Sequence, residues 1–421
     1  MFFIPYSILE LPANVVLKTF RPSRWLPAIT IVWGIVVVLT GLVRTYPQLV
    51  GARVALGAAE AGLFPGIAHY LTFWYPRHKL QTRIALFFGS ASLAGAFSGI
   101  LAYGIGFLSG VRHRLGWSWI FILEGLATVV VGFLALLGMN DHPCAVCKIN
   151  TSQVMVDFPE TAKFLTPEER AWVLHQKKLE NSLVGEEEHL EARHIKAAIS
   201  DWQIWLHILI YMSVVTPLYG FTFFLPTIIH GFGYSTAVSQ LLTVPPYALA
   251  TMATYAVGYF SDKYRLRSPF IFSGLVFIFI GLAINISNVA NGIKYFGTFW
   301  IVVGAYAVFP GIVAWPSNNL SGQYKRGIGS AIQIGIGNFS GAFAANVYRT
   351  KDEPRYILGH GIMMMFAGIG VICVPIAVIS YTRINHKRDK LLRELSERGD
   401  KISAEEIKKL GDRAPTFRYI I

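Results

Sequence analysis

The sequence predicts an all-α polytopic membrane protein made of two helical bundles separated by a polar loop. Of its 421 residues, 53% are apolar and only 14% are charged, whereas a typical soluble protein has about 25% charged residues. A soluble fold of this composition would have too little charged surface to stay dispersed. Segments of about 20 apolar residues that face lipid remove this contradiction.

Eleven apolar runs support the same fold class. Backbone amides in lipid must be hydrogen-bonded within their own segment, so each run predicts a helix, and its internal prolines and glycines predict kinks or close helix contacts. The runs lie near residues 1–17, 26–45, 48–75, 83–109, 117–139, 203–228, 235–260, 268–287, 295–317, 327–348 and 358–382.

A polar loop at residues 140–201 divides the runs into five and six and holds 11 of the 24 acidic residues. Within it, Thr166 is followed by a proline and then by Glu169, which is the pattern of a helix N-cap. A helix should therefore begin there. The predicted parts are a five-helix bundle at 1–139, the loop at 140–201, a six-helix bundle at 202–382 and a tail at 383–421.

The basic residues predict the orientation of the chain. Alternate short loops, together with the start of the tail, carry 17 lysines and arginines, and the opposite loops carry 7. Because basic loops stay in the cytoplasm, the long loop and the tail should be cytoplasmic. Eleven crossings that end in the cytoplasm must begin outside. We interpret this parity as the loss of a first helix, with an authentic eleven-helix protein as the alternative.

Three acidic residues lie within the predicted spans: Glu10, Glu60 and Glu124. A carboxylate in the bilayer is costly unless it is paired, protonated or facing water, and acids in such positions commonly serve ion pathways or proton relays. All three are therefore candidates for proton coupling or substrate binding.

The third run contains a cation and a carboxylate on one helical face. Arg53, Gly57 and Glu60 follow one another by four and then three residues, which aligns them. Gly57 should leave a gap through which an anionic substrate or water reaches both charges. The alternative is a structural tie between an arginine and a glutamate of different helices.

Polar and aromatic side chains in the later runs are candidates for lining a cavity, although membrane bundles also hold tyrosines and amides that serve only packing. His69 and His207 lie near predicted cytoplasmic ends and should be hydrated. The candidate lining residues are Tyr211, Tyr219, Tyr306, Gln333 and Asn338.

At the third run the sequence resembles a known family. The segment LVGARVALGAAEAGLFPG is similar to the fourth helix of major facilitator superfamily transporters, in particular the fungal anion:cation symporters that include allantoate, nicotinate, pantothenate and biotin permeases. Further similar segments occur in order over nearly the whole chain: ELPANVVLKTFRPSRWLP, FWYPRHKLQTRIALFF, WSWIFILEG, DFPETAKFLTPEER, GYFSDKYRLRSP and YRTKDEPRYILGHG.

This resemblance implies a twelve-helix fold of six plus six, in the plasma membrane, that acts as a monomer. It implies uptake of a small organic anion, a vitamin or ureide carboxylate, together with a proton. Within GYFSDKYRLR, the residues Gly258, Asp262, Lys263 and Arg265 resemble the superfamily's loop signature. There an acid docks against a neighbouring helix end and latches one conformation, which suits the positive end of a helix dipole.

Two features depart from the family's pattern. The family's first helix has no counterpart, and the segment at residues 140–156 is longer than usual. A mispredicted gene boundary would explain both features, and a harmless loop extension is the alternative for the second. A chain that lacks the first helix should transport poorly.

Other function classes lack the residues they need. The motifs of zinc proteases, serine hydrolases and ATP-binding loops are absent, so we expect neither an enzyme nor a cofactor. Cys144 and Cys147 have no second ligand pair for zinc. The basic residues are not interleaved with aromatics as nucleic-acid binding requires. A nutrient sensor on a transporter fold, or a non-functional truncated product, remains the alternative to a transporter.

Overall fold

The computed structural model describes residues 1–19, 22–75, 79–137, 165–181, 192–321, 323–353, 355–398, 402–403 and 410–421. Within these ranges the regular structure is helical and contains no strand, which confirms the all-α prediction. The α-helices are α1 (Phe3–Thr19), α2 (Pro22–Thr40), α3 (Tyr46–Glu60), α4 (Leu63–Trp74), α5 (Leu80–Gly106), α6 (Gly116–Leu137), α7 (Pro167–Asn181), α8 (Ala192–Ile199), α9 (Trp202–His230), α10 (Thr236–Leu241), α11 (Val244–Tyr264), α12 (Ser268–Ile286), α13 (Asn291–Asn319), α14 (Gln323–Ala344) and α15 (Ile357–Arg398).

Each of the eleven apolar runs is helical, but two of them are interrupted. The third run divides into α3 and α4 at Ala61 and Gly62, and the seventh divides into α10 and α11. Among the described helices, seven are long and apolar enough to cross a membrane: α2, α5, α6, α9, α12, α13 and α15. The protein is therefore a multi-pass membrane protein.

The polar loop contains the expected helix. In α7, the Glu169 backbone N–H donates to the Thr166 hydroxyl oxygen at 3.2 Å, and the Thr166 backbone N–H donates to the Glu169 carboxylate at 3.0 Å. This reciprocal capping confirms the predicted helix start. Residues 140–156, with Cys144 and Cys147, lie outside the described part.

The chain forms two compact units, and their boundaries differ from the predicted bundles. The first unit comprises residues 1–75 and 101–178, and the second comprises residues 76–100 and 179–421. Most of α5 thus packs with the second half of the chain, although its position in the sequence suggests the first bundle.

In the first unit, α2 and α6 are in close contact through glycine. A Cβ atom added at Gly34 would lie 2.9 Å from the Val129 backbone nitrogen, and one at Gly125 would lie 2.7 Å from that of Val38. Small residues of this kind let two membrane helices approach closely. The other side of α6 exposes large apolar residues, including Val131 and Leu134, as a lipid-facing surface requires.

In the second unit, α13 is the central helix. Its residues from Gly304 to Asn319 are all buried, on every side of the helix. A helix that is apolar all round belongs in the middle of a bundle. The neighbours α9, α11, α12 and α14 pack around it and bring their polar residues towards it.

Candidate substrate-binding and coupling sites

Arg53 is the principal charged candidate in the first unit. It lies in the middle of α3 and is partly buried, with its guanidinium carbon 5.3 Å from the centre of the Phe121 ring on α6. Such a cation–π contact fixes the position of the guanidinium without neutralising its charge. Of the carboxylates in the described part of the chain, none forms an ion pair with Arg53.

Glu60 is the last residue of α3 and is only partly buried. It lies seven residues after Arg53, or roughly 10 Å along the helix axis. No ion pair joins Arg53 and Glu60 among the described residues. The gap expected at Gly57 is wrong, because a Cβ atom there would lie 3.1 Å from both the main-chain carbon of Phe2 and the Pro5 ring. Packing of α1 therefore closes this part of the face.

The other two membrane carboxylates lie in different surroundings. Glu10 on α1 is 0% exposed. Glu124 on α6 is exposed and lies one turn after Phe121, the residue that contacts Arg53. The charged candidates of the first unit thus lie on α1, α3 and α6.

The second unit gathers three of the predicted lining residues around one amide. The hydroxyl groups of Tyr211 and Tyr219 donate to the Asn338 side-chain oxygen at 3.2 and 3.3 Å. A Cβ atom at Gly337 would clash with the Tyr211 ring, so glycine makes room for this tyrosine. We call Tyr211, Tyr219 and Asn338 the amide cluster.

An aromatic wall adjoins the amide cluster in the second unit. The Phe88 ring on α5 stacks on Phe309 with centroids 3.9 Å apart, and Phe309 lies 5.8 Å from Tyr211. Phe88 also stacks on Tyr306 at 5.6 Å. The Tyr306 hydroxyl lies 3.0 Å from the Thr222 hydroxyl. The wall comprises Tyr211, Phe309, Phe88 and Tyr306.

Gln333 and His207 have structural contacts near this site. The Gln333 amide donates to the main-chain oxygens of Ile312 and His207, which joins α14 to α13 and α9. The expected hydration of His207 is wrong, because its side chain is 0% exposed and its Nε2 lies 2.9 Å from the Tyr381 hydroxyl. The side chain of His69 lies outside the described part.

The signature loop docks on a helix end, as its resemblance implies. The Asp262 carboxylate accepts hydrogen bonds from the Thr82 backbone N–H at 2.7 Å and from its hydroxyl at 2.6 Å, in the first turn of α5. A Cβ atom at Gly258 would lie 2.5 Å from that of Ala85, so this contact requires glycine. Latching of a conformation by this contact stays a prediction.

The basic partner of Asp262 is not one of the predicted residues. Lys263 and Arg265 are exposed. The buried Arg267 instead places its guanidinium nitrogen 2.6 Å from the Asp262 carboxylate. The available signal was its place at the start of α12, two residues before Pro269, but three neighbouring basic residues in the loop made the choice ambiguous.

Sequence reasoning also missed the residues that complete the second site. Thr222, Phe88 and Phe309 contact the predicted tyrosines, yet each is a common residue inside an apolar run. No group of three His, Cys, Asp or Glu side chains with metal-binding geometry occurs among the residues that the structure describes.

Comparison with known proteins identifies the same architecture. The family model of the Major Facilitator Superfamily matches residues 1–345. An uncharacterized transporter of Schizosaccharomyces pombe is 31% identical over the whole chain, which spans 79% of that protein. The high-affinity nicotinic acid transporter of Saccharomyces cerevisiae is 28% identical over the whole chain, which spans 75% of that protein.

Solved structures share the fold at low sequence identity. The proton:xylose symporter XylE has a TM-score of 0.63 at 12% identity, over 89% of this chain and 83% of its own. The human organic anion transporter MFSD10 has a TM-score of 0.59 at 11% identity, over 89% of this chain and 81% of its own. With its helical architecture and its match over residues 1–345, the chain belongs to the major facilitator superfamily of membrane transporters.

Proposed function

We propose that this transporter takes up a small organic anion together with a proton, by alternating access, and that it acts as a monomer in the plasma membrane. The anion is a vitamin or ureide carboxylate. The single observation that carries the proposal is Arg53, a guanidinium inside a membrane-spanning unit that pairs with no carboxylate of the described residues.

A cation in a span needs compensating charge, because an isolated charge in a poorly solvated site is costly. A substrate carboxylate supplies that charge and fits the planar fork of an arginine with two parallel hydrogen bonds. The ring of Phe121 holds the guanidinium in place before substrate arrives. Arg53 would therefore bind the anionic group of the substrate.

The second unit, taken by itself, offers groups suited to an uncharged, planar part of a substrate. The amide cluster offers hydrogen-bonding groups, and the aromatic wall offers ring faces. Ligand sites commonly combine an apolar wall with a few placed polar groups in this way. A planar ring in the substrate would suit these groups, and the relative from Saccharomyces cerevisiae is a nicotinic acid transporter.

Proton coupling would use the membrane carboxylates Glu10, Glu60 and Glu124. A carboxylate that is charged in one state and neutral in another carries a proton across without a metal or a cofactor. Glu60 is the principal candidate because it ends α3, the helix that also carries Arg53. Binding of the proton and of the anion would then affect the same helix.

The proposed orientation places the long loop and residues 383–421 in the cytoplasm, because the loops on that side carry the excess of basic residues. Labelling with an impermeant thiol reagent tests it. Cys144 and Cys147 should stay unlabelled in intact cells and react after permeabilisation. Labelling in intact cells would overturn the orientation.

Uptake in a yeast strain without its own carboxylate permeases tests the function. The full chain is expressed, its surface amount is measured, and labelled nicotinate, pantothenate, biotin and allantoate are offered separately. At least one compound should accumulate, faster at low external pH and not after an uncoupler. Equilibration without accumulation would indicate a facilitator, and signalling without uptake would indicate a sensor. A parallel chain with a homologous first helix tests whether that helix raises uptake.

A further inference from the structure

Residues 411–421, here called the tail segment, fold back onto the second unit. Their contacts lie at one end of the bundle, where α9, α12 and α14 begin, where α13 ends and where α15 continues beyond the apolar run. We call this surface the tail face. Five helices thus share one short peptide.

Side chains of the tail face bind the main chain of the tail segment. Arg388 donates to the carbonyl oxygens of Phe417 at 2.8 Å and of Asp412 at 2.6 Å. Asn385 and the main chain of Tyr419 exchange two hydrogen bonds, at 2.9 and 3.0 Å. This reciprocal pairing fixes the register of the peptide.

A second amide repeats this pairing one residue further on. Asn319 and the main chain of Ile420 exchange hydrogen bonds at 3.0 and 2.8 Å, and the Trp315 indole N–H donates to the Ile420 carbonyl at 2.8 Å. The Arg267 backbone N–H donates to the Ile421 carbonyl at 2.8 Å. Arg267 is the residue that pairs with Asp262, so the tail segment also contacts the signature loop.

Charged groups anchor the other end of the tail segment. The Lys325 ammonium lies 2.8 Å from the Asp412 carboxylate and 2.6 Å from that of Asp201. The side-chain amide of Gln203 donates to the Asp412 carboxylate at 3.3 Å. Asp412 is 4% exposed, so this attachment excludes water.

The composition of the contact favours a detachable segment. Much of the binding comes from hydrogen bonds to main-chain atoms and from ion pairs, and the main apolar contributions come from Ala414, Phe417 and Tyr419. When the segment leaves, water can hydrate Arg388, Asn385 and Lys325, which lie at the bundle end and not in the membrane interior. Because each released group exchanges its hydrogen bond for one to water, such a bond contributes only about 0.5–1.5 kcal/mol net.

Contiguous side chains join the tail segment to the amide cluster. The Tyr419 ring packs on Tyr381 with centroids 4.8 Å apart, and the Tyr381 hydroxyl lies 2.9 Å from His207 Nε2. His207 lies one turn before Tyr211 on α9. A contiguous path of packed side chains of this kind can carry coupling between the two places.

We propose that the tail segment is a detachable clamp that restrains transport. When bound, it holds four helix ends and the extended part of α15 in one arrangement; when released, it lets them rearrange. A ligand that binds one conformation better shifts the population towards that conformation, and this holds for a peptide of the same chain. The proposal rests on the transport function of the family and not on the identity of the substrate.

Thiol labelling of the tail face tests detachment without any substrate. Ser321 is 3% exposed and lies beneath Gly411, where an added Cβ atom would be 3.7 Å from its hydroxyl oxygen. Ser321→Cys is introduced into the full chain with Cys144→Ser, Cys147→Ser and Cys373→Ala. Purified protein in lipid nanodiscs is then labelled with a maleimide.

Tyr419→Ala and Arg388→Gln should each raise the labelling rate of position 321 by roughly tenfold, since each removes contacts that hold the clamp. Arg413→Ala is the matched control, because Arg413 is exposed on the same segment, and it should change the rate less than about twofold. Ala250→Cys on α11, 0% exposed, reports unfolding of the bundle. If the labelling rate at position 321 does not change, the tail segment is a fixed part of the fold and the clamp is overturned. If labelling at position 250 accelerates equally, the substitutions unfold the bundle, and the clamp is overturned as well.

Uptake tests the restraint. Nicotinate is the first probe. Tyr419→Ala and Arg388→Gln, the released variants, should each show an initial uptake rate per surface molecule at least about twice that of the wild type. Arg413→Ala should keep the wild-type rate. Equal or slower uptake by the released variants would overturn the restraint. If no compound is taken up by any variant, the proposed substrate class fails, and the labelling result decides the clamp by itself.

Discussion

The candidate sites of the two units differ in their chemistry. The first unit carries formal charges: Arg53, Glu10, Glu60 and Glu124. The second unit carries a neutral amide cluster whose hydroxyl and amide groups bind one another beside stacked rings. Charged groups can move a proton and hold an anion, whereas neutral groups and ring faces select shape. The difference suggests that one unit supplies coupling and the other supplies specificity.

Removal of the Arg53 charge should have the largest effect on this comparison. Loss of charge-assisted hydrogen bonds to a substrate carboxylate costs about 1.5–3 kcal/mol, so Arg53→Ala should lower kcat/KM roughly 10- to 150-fold. Arg53→Lys keeps the charge but loses the fork, and it should be intermediate. Arg44→Ala, an exposed cation just before α3, is the control. Normal uptake by Arg53→Ala at equal surface amount would remove Arg53 from the site.

Glu60→Gln should separate proton coupling from binding. A glutamine cannot be protonated in exchange with water, so accumulation and the rise in uptake at low external pH should disappear, whereas equilibrative uptake persists. In the wild type, acid increases the protonated carboxyl form outside, which is why uptake should rise as external pH falls. Glu397→Gln, exposed on α15, should keep the pH profile. A retained profile in Glu60→Gln would shift the role to Glu10 or Glu124.

Asn338→Ala should affect selection and leave coupling intact. The hydroxyl groups of Tyr211 and Tyr219 lose their shared acceptor. A buried hydroxyl without this partner costs about 1–3 kcal/mol, so KM should rise roughly tenfold with an unchanged pH profile. Asn346→Ala, an exposed amide just after α14, is the control. A changed pH profile in Asn338→Ala would contradict the separation of roles between the units.

Phe88→Leu should have the smallest effect and should depend on the substrate. It removes the ring that stacks on Phe309 and Tyr306. Aromatic pairs contribute about 0.5–1.5 kcal/mol beyond burial, so uptake of a planar ring carboxylate should fall roughly two- to tenfold. Uptake of an aliphatic carboxylate should change less. Phe97→Leu, exposed on the same helix, is the control. An equal loss for both substrates would indicate a packing role.

Several features of this protein could be predicted from local sequence. Apolar runs predicted the helices because hydrophobic length is a local property, and Thr166 and Glu169 predicted the start of α7 because a cap involves neighbouring residues. The position of Asp262 against a helix end followed from its motif. Arg53 could be singled out because a charge in an apolar run is conspicuous.

Other features depend on contacts between distant parts of the chain. Asp262 binds Thr82 across 180 residues, and the arginine that joins it is Arg267 and not Arg265. The gap expected at Gly57 is filled by residues near the amino terminus. Helical spacing specifies which side chains share a face, but not what packs against that face.

The sequence by itself determined the helical membrane architecture, the division by a polar loop and the charged residues of the spans. Only the tertiary structure decided that Tyr211 and Tyr219 share one amide, that α5 packs with the second unit and that residues 411–421 bind five helices. The physical reason is the range of the interactions. Hydrophobicity and helix capping act over a few residues, whereas these contacts arise from tertiary packing, which brings together groups from 24 to 209 residues apart.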